Sequence, residues 1–217
     1  MNVLRHGGAM PADTLLVLLP GACMTPGDFV DAGFAAALDA RRLPVDLAIP
    51  AIDLANITDG SALPEIREEI LRPARETYRR VWLGGISLGG FLSLLHCARH
   101  PEEVDGLLLL APYPGSRITH RTIAAAGGLA AWQPTPEQRA DPEFELWNWL
   151  RRAPTSLPMH IDYGSEDRFA AGMAGLANVL PQARVRTRPG GHDWPVWRAA
   201  WEDFLDTGTL APADQQS

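Results

Sequence analysis

Residues 81–91 read VWLGGISLGGF, and this stretch decides the fold. Val81–Ile86 is an apolar run without polar alternation, which indicates a strand buried on both faces. Leu88–His100 then has the apolar spacing of a helix. The motif GISLG at residues 85–89 stands between them, and its glycines permit a tight, strained turn that exposes the hydroxyl of Ser87 at the end of a sheet. A bare Gly-x-Ser-x-Gly is weak evidence, and its place on a strand-to-helix junction makes it much stronger.

Aliphatic runs of the same kind recur along the chain and alternate with amphipathic stretches, which predicts an α/β fold with a mostly parallel sheet and helices on both faces. The length of 217 residues fits one domain spanning residues 1–217. The predicted strands are Leu15–Leu19, Val45–Ile49, Val81–Ile86, Val104–Leu110, Met159–Tyr163 and Ala183–Thr187. The predicted helices are Pro26–Ala40, Leu63–Arg80, Leu88–His100, Arg168–Leu180 and Pro195–Asp206. Pro73 should kink or split the second helix, because proline lacks a backbone donor.

The composition excludes several functional classes. A net charge of -7 and a pI near 5.3 oppose binding to nucleic acid, which needs a basic face. No apolar run approaches the roughly 20 residues that span a bilayer, and without a signal segment we expect a cytoplasmic protein. The cysteines, Cys23 and Cys97, are too few for a disulfide scaffold, so we expect free thiols. No motif for a metal or another cofactor is found, and none is expected.

The junction at Ser87 resembles the nucleophile turn of the α/β-hydrolase family, whose members carry a nucleophile, an acid and a histidine in that chain order. Residues 164–167 (GSED), after a predicted strand, resemble the acid turn of the family. Residues 189–194 (PGGHDW), after the next strand, resemble its histidine loop. The resemblance implies that Ser87 is the nucleophile, Asp167 the acid and His192 the base, with Glu166 and Asp193 as competitors for the acid.

The chemistry explains why this trio is needed. A serine hydroxyl is a weak nucleophile at neutral pH, so an imidazole must accept its proton while a carboxylate orients the ring. The oxyanion that forms needs preorganised donors. We expect these to be the backbone amides of Leu88 and Ala22, with Cys23 close behind Ala22. Pro20 stands where the family commonly has histidine, which leaves the conformation of this loop open.

The segment 113–158 is longer than a usual connection and forms a predicted cap-like insertion. Its tryptophans either pack this cap or contact substrate, and the sequence does not separate the two roles. The antiparallel strands that open a full-length hydrolase sheet have no room before Leu15, so the fold should be trimmed at its N-terminus. The candidate substrate-pocket residues are Cys23, Met24, Tyr113, Trp132 and Trp147.

The expected activity is therefore hydrolysis of a small-molecule carboxylic ester or thioester through an acyl-enzyme on Ser87. Two alternatives stay open. One is an acyltransferase that uses the same trio with an alcohol or amine as acceptor. The other is a non-catalytic binding module, since a fold alone does not establish chemistry. The sequence leaves the oligomeric state and the acyl chain length undetermined.

Overall fold

The computed structural model describes residues 1–7, 11–152 and 157–211. Seven strands of these residues form one sheet in the order β1-β3-β2-β4-β5-β6-β7. Strands β2 to β7 are parallel to their neighbours, whereas β1 pairs with β3 in the antiparallel direction. The strands are β1 (Val3–His6), β2 (Thr14–Leu19), β3 (Val45–Pro50), β4 (Arg80–Ile86), β5 (Gly106–Leu110), β6 (Met159–Gly164) and β7 (Arg184–Arg188).

Most of the helices lie between consecutive strands, and the last helix follows the last strand. In chain order they are α1 (Pro26–Asp31), α2 (Phe34–Arg41), α3 (Leu54–Thr58), α4 (Ala62–Ile66), α5 (Arg72–Thr77), α6 (Leu88–Arg99), α7 (Arg117–Ala125), α8 (Pro136–Arg139), α9 (Pro142–Leu150), α10 (Ala170–Asn178) and α11 (Trp194–Asp206). A π-helical turn (Arg67–Leu71) joins α4 to α5, and a 3₁₀ turn (Pro101–Glu103) follows α6. Within the described residues, no helix is both long and apolar enough to cross a bilayer.

Both faces of the sheet are covered, as β4 demonstrates. The ring of Trp82 packs on Phe204 of α11, with ring centroids 5.6 Å apart. A Cβ atom at Gly85 would instead lie 2.5 Å from the carbonyl carbon of Gly89 in α6. Residues 82 and 85 are an odd number of positions apart, so they point to opposite faces of the strand. The helices α6 and α11 therefore lie on opposite sides of the sheet, which explains the continuous apolar runs of the central strands.

The predicted α/β class is confirmed, and the six predicted strands correspond to β2–β7 with small shifts at their ends. The expectation that no antiparallel strand fits before Leu15 was wrong. Val3–His6 pairs with β3, from Val3 opposite Pro50 to His6 opposite Leu47. This strand was missed because it has only four residues and lies at the sheet edge, where its half-exposed residues give no apolar run.

Two predicted helices are interrupted. The first breaks at Gly33, which has φ 78° and separates α1 from α2. The second contains the π-helical turn just before Pro73, where the amide of Arg72 donates to the carbonyl of Arg67. Proline has no N–H for the usual bond to residue i−4, so the helix passes it with a widened turn. The predicted disruption at Pro73 is thus present, although the chain stays helical through it.

The long segment after β5 contains α7, α8 and α9, while its residues 153–156 lie outside the described residues. Trp132 and Trp147 are both buried there. The indole of Trp132 donates to Gln138 (3.3 Å), and that of Trp147 donates to the carbonyl of Pro114 (2.9 Å). Both tryptophans therefore stabilise the packing of this segment.

We expect Gly89→Ala to destabilise the protein by about 1–3 kcal/mol, because overpacked sites cost this much. Its Cβ atom would lie 2.5 Å from the carbonyl carbon of Leu19 and 2.7 Å from the carbonyl oxygen of Pro20, and backbone atoms cannot move aside cheaply. Gly175→Ala in α10 is the matched control, since no atom lies within 4 Å of the new methyl group. This control should gain up to about 1 kcal/mol from helix propensity. Urea unfolding midpoints at constant m-value measure both effects, and equal midpoints would contradict the prediction.

Candidate active site

Ser87 occupies the turn between β4 and α6 in a strained conformation, with φ 53° and ψ −113°. A non-glycine residue in such a region costs on the order of 1–3 kcal/mol unless its surroundings hold it there. Here the Ser87 amide donates to the carbonyl of Leu110 (3.0 Å), and the Ser87 carbonyl accepts from the amides of Phe91 (3.1 Å) and Tyr113 (2.9 Å). These bonds fix the backbone and leave the half-buried side chain without a hydrogen bond among the described residues.

Asp167 and His192 are joined by a short hydrogen bond. The distance from Nδ1 of His192 to Oδ2 of Asp167 is 2.5 Å, and the Asp167 side chain is fully buried. Its other oxygen accepts from the amide of Phe169 at 2.8 Å. A carboxylate only accepts, so Nδ1–H is the donor and Nε2 is the imidazole nitrogen left to accept a proton.

The two competing carboxylates do not contact the histidine ring. Glu166 is exposed. Asp193 caps α11, where one of its oxygens accepts from the amide of Val196 at 3.3 Å. Asp167 is therefore the carboxylate that is hydrogen-bonded to His192, and its role as the catalytic acid stays a prediction.

Close backbone packing holds the acid turn against the histidine loop. The amide of Glu166 donates to the carbonyl of Gly190 at 2.9 Å, and that of Ser165 donates to Arg188 at 2.7 Å. A side chain at Gly164 would collide with the backbone of Gly190 and Gly191. The last residue of β6 is therefore glycine because the histidine loop crosses directly over it.

Arg188, at the end of β7, anchors this arrangement to the sheet and to α11. Its guanidinium forms a bidentate ion pair with Asp162 of β6 and a further bond with Asp203 of α11, at 2.9 Å. Burial raises the pKa of Asp162, while Arg188 opposes that shift. Sequence reasoning did not identify this pair, because nothing in the local pattern indicates that residues 26 positions apart meet.

Ser87 and His192 lie on the same edge of the sheet, and two aromatic residues connect them. The ring of Tyr113, whose amide binds the Ser87 carbonyl, packs on Phe169 at 5.5 Å. Phe169 in turn packs on His192 at 5.5 Å, and Trp197 packs on the other side of the imidazole at 5.1 Å. Among the described residues no hydrogen bond joins the Ser87 hydroxyl to His192. Such bonds often tighten only when substrate binds.

The amides expected to stabilise an oxyanion lie next to Ser87. The Leu88 amide is at the N-terminus of α6, where backbone N–H groups have no partner within the helix. The loop carrying Ala22 runs against the same turn, since a Cβ atom at Gly21 would lie 3.2 Å from the carbonyl oxygen of Ile86. The Ala22 amide has no hydrogen-bond partner among the described residues. The role of both amides as oxyanion donors stays a prediction.

The predicted pocket residues lie in different parts of the structure. Cys23, an exposed free thiol with φ 62°, and Met24 belong to the loop after β2, where the thioether of Met24 accepts from the amide of Gly21. Tyr113 lines a groove that starts beside Leu88. The buried tryptophans of the long segment are absent from its lining.

This groove has a volume of about 290 Å³ and was not foreseen from the sequence. Its floor is one face of α6, and its walls come from α3 and α4 on one side and from the start of α9 on the other. The floor residues are Leu88, Phe91, Leu92 and Leu95. Their helical spacing was readable from the sequence, whereas the position of the walls was not.

Glu143 of α9 organises the groove wall through bonds from two side chains and one backbone amide. It accepts hydrogen bonds from the hydroxyl of Tyr113 (3.0 Å), the hydroxyl of Thr119 (2.5 Å) and the amide of Ser116 (2.8 Å). Burial alone would raise the pKa of Glu143, but these bonds outweigh burial and hold that pKa below its ordinary value. Burial and the bond to Glu143 raise the pKa of Tyr113 to about 12, so its hydroxyl remains a donor.

One group of side chains that could ligate a metal ion lies away from this edge. His100, Glu102 and Glu103 each place a ligand atom within 4.8 Å of the others. Glu103 is already paired with the guanidinium of Arg67 at 2.6 Å, and this positive charge opposes a bound cation. The sequence had given no indication of this grouping.

A mostly parallel sheet with a strained serine at a strand-to-helix turn, followed by an aspartate–histidine pair on the same edge, defines the α/β-hydrolase class of fold. The model of the alpha/beta hydrolase family matches residues 16–216, and the chain belongs to this family. The resemblance inferred from the sequence motifs is thereby confirmed. A comparison with curated proteins gave no match.

Solved structures of the same fold include several hydrolases. One is the S-formylglutathione hydrolase FrmB from Staphylococcus aureus, with TM-score 0.66 and 14% identity over 91% of this chain and 81% of that chain. Another is FphF, a fluorophosphonate-binding serine hydrolase of Staphylococcus aureus (TM-score 0.61, 14% identity, 93% and 85% covered). A third belongs to the metagenome-derived lipolytic enzymes LipS and LipT (TM-score 0.65, 13% identity, 94% and 96% covered). At these identities the likeness shows the shared fold.

We expect Glu143→Gln to lower the free energy of unfolding near neutral pH by about 1–3 kcal/mol, because charged hydrogen bonds become neutral ones. The folded-state pKa of Glu143 is lowered, so its ionised form stabilises the protein above its unfolded pKa of about 4.5. This contribution is lost as pH falls through the folded pKa, and the variant and wild type should then converge in stability. Urea unfolding across this pH range measures the difference.

The matched control is Glu76→Gln, which neutralises an exposed carboxylate with no hydrogen bond among the described residues. This control should stay within about 0.5 kcal/mol of wild type. A Glu143→Gln variant that tracks the control at every pH would show that the network around Glu143 adds nothing to stability.

Proposed function

We propose that this chain is a serine hydrolase that cleaves a carboxylic ester or thioester through an acyl-enzyme on Ser87. The observation that carries the proposal is the buried hydrogen bond between Asp167 and His192 on the edge where Ser87 is held in its strained turn. An imidazole with an available Nε2 on the same sheet edge as an unbonded serine hydroxyl matches the demands of nucleophilic catalysis.

In the first step, His192 Nε2 accepts the hydroxyl proton as Ser87 Oγ bonds to the substrate carbonyl carbon. The amides of Leu88 and Ala22 donate to the oxyanion. His192 then gives the proton to the leaving oxygen or sulfur as its bond to the carbonyl carbon breaks. In the second step, water attacks the acyl carbon and His192 takes a proton from that water. His192 then gives the proton to Ser87 Oγ as the bond between Oγ and the acyl carbon breaks, which releases the carboxylic acid. Asp167 keeps its hydrogen bond to Nδ1 and stabilises the imidazolium in both steps.

The substrate class follows from what these groups recognise. The oxyanion amides and the nucleophile require a carbonyl carbon with a leaving group, and an ester and a thioester both provide one. The names of structural neighbours include an S-formylglutathione hydrolase and lipolytic enzymes, which is compatible with either type of bond. A small-molecule substrate fits the size of the groove beside Leu88.

Incubation with a fluorophosphonate probe should label Ser87, because the activated hydroxyl attacks phosphorus as it would a carbonyl. Peptide mass spectrometry locates the adduct. Ser87→Ala should abolish both labelling and hydrolysis of p-nitrophenyl esters. Ser165→Ala is the matched control, since this serine is exposed on the same edge and should not change the labelling. Wild-type protein that is folded yet unlabelled at Ser87 would remove the proposal.

Asp167→Asn should lower kcat by roughly 10⁴-fold, since asparagine keeps the shape but favours the wrong histidine tautomer. The comparison variant is Glu166→Gln, which alters the exposed neighbouring acid. Steady-state kinetics on one ester, with thermal unfolding of each variant, separates the two residues. A larger loss of kcat for Glu166→Gln than for Asp167→Asn would overturn the assignment of the acid.

A further inference from the structure

We propose that the groove along the outer face of α6 binds the acyl group of the substrate, and that this group is an uncharged aliphatic chain of medium length. The inference rests on the proposed function and specifies its substrate. The position of the groove, its lining residues and its length support this inference.

The lining of the groove includes the residue that follows the serine in the chain. Leu88, which follows Ser87, lines its near end, and Tyr113, whose amide binds the Ser87 carbonyl, lines its side. Leu92 and Leu95 are four and seven positions after Leu88, so the three leucines share one face of α6. A chain bonded to the acyl carbon at Ser87 can therefore extend along a continuous apolar floor.

Each polar side chain of the lining takes part in a hydrogen bond within the protein. Arg99 at the far end donates two hydrogen bonds to the carboxylate of Glu145, at 2.9 and 2.6 Å. Asp141 caps α9, and Asn56 donates to Ser61 at 3.0 Å.

The remaining polar pair of the lining is Tyr113 and Glu143, which bond to each other at 3.0 Å. A charged chain end would have to displace one of these bonds, and an unpaired polar group is costly to bury. The lining consequently favours an uncharged hydrocarbon group over a dicarboxylate or an amine.

The groove lies on the acyl side of the scissile bond. The leaving group must remain near His192, because this residue supplies its proton. None of the groove residues comes from the segments that carry Asp167 and His192, which are the loops after β6 and β7. The acyl group, and not the leaving group, is thus directed along α6.

The dimensions of the groove indicate the length of the acyl chain. Leu88 and Leu95 are seven residues apart, which corresponds to about 10 Å along the helix axis. The volume of about 290 Å³ equals that of roughly ten liquid water molecules, and a methylene group is of similar size. An acyl chain near octanoyl or decanoyl fills this space, whereas an acetyl group leaves most of it empty.

The test is kcat/KM for p-nitrophenyl acetate, butyrate, octanoate and palmitate with the full-length protein. Wild type should gain about fourfold for each added methylene up to octanoate, the factor for burying one such group, and then decline at palmitate. Ile57→Trp places a bulky ring in the half-buried groove wall, and should reduce the octanoate-to-acetate ratio at least tenfold. Leu95→Ala lengthens the floor and should move the optimum to longer chains.

Leu54→Trp is the matched control, because Leu54 is on the same helix as Ile57 but is exposed and outside the lining. It should retain the wild-type chain-length profile. A flat wild-type profile with measurable acetate turnover overturns the acyl groove and leaves the proposed function standing. The acyl groove is also overturned if folded Leu95→Ala and Ile57→Trp both keep the wild-type chain-length profile. If Ile57→Trp fails to fold, the profile of Leu95→Ala is the test. Absence of turnover on every ester, with no labelling of Ser87, overturns the proposed function itself.

Discussion

Close backbone contact between the end of β2 and the first turn of α6 leaves no space for a side chain at residue 89. The same contact excludes a side chain at residue 85, which faces the carbonyl of Leu19. With both positions occupied by glycine, the chain can reverse between β4 and α6 tightly enough to hold Ser87 at φ 53°. The strain is local, and the hydrogen bonds to Leu110, Phe91 and Tyr113 maintain it.

The loops after β6 and β7, on the same edge of the sheet, depend on a different kind of constraint. Asp167 is buried and its two oxygens are bonded to His192 and to the amide of Phe169, so its carboxylate has one orientation. The ion pair of Arg188 with Asp162 ties the two strands before these loops together. Electrostatics and hydrogen bonding therefore fix the acid and the histidine, whereas steric exclusion fixes the serine.

The segment between β5 and β6 supplies one wall of the groove beside the serine. Its buried tryptophans stabilise its own packing, and Glu143 joins it to Tyr113 beside the serine. In this arrangement α9 forms one wall of the groove whose floor is α6. Of the two roles left open for Trp132 and Trp147, the structure shows packing within the segment, and leucines of α6 line the groove.

The sequence by itself determined the sheet-forming runs, the glycine-flanked serine, the order of serine, acid and histidine, and the disruption at Pro73. Each of these features depends on local steric rules or on spacing along the chain. Only the tertiary structure decided which carboxylate is hydrogen-bonded to His192. Asp167, Glu166 and Asp193 all carry a carboxylate, and they differ in burial and in hydrogen-bond partners. It also decided that Val3–His6 joins the sheet, that Arg188 pairs with Asp162, and that a groove follows α6. These features are made by residues far apart in sequence, so no local pattern contains them.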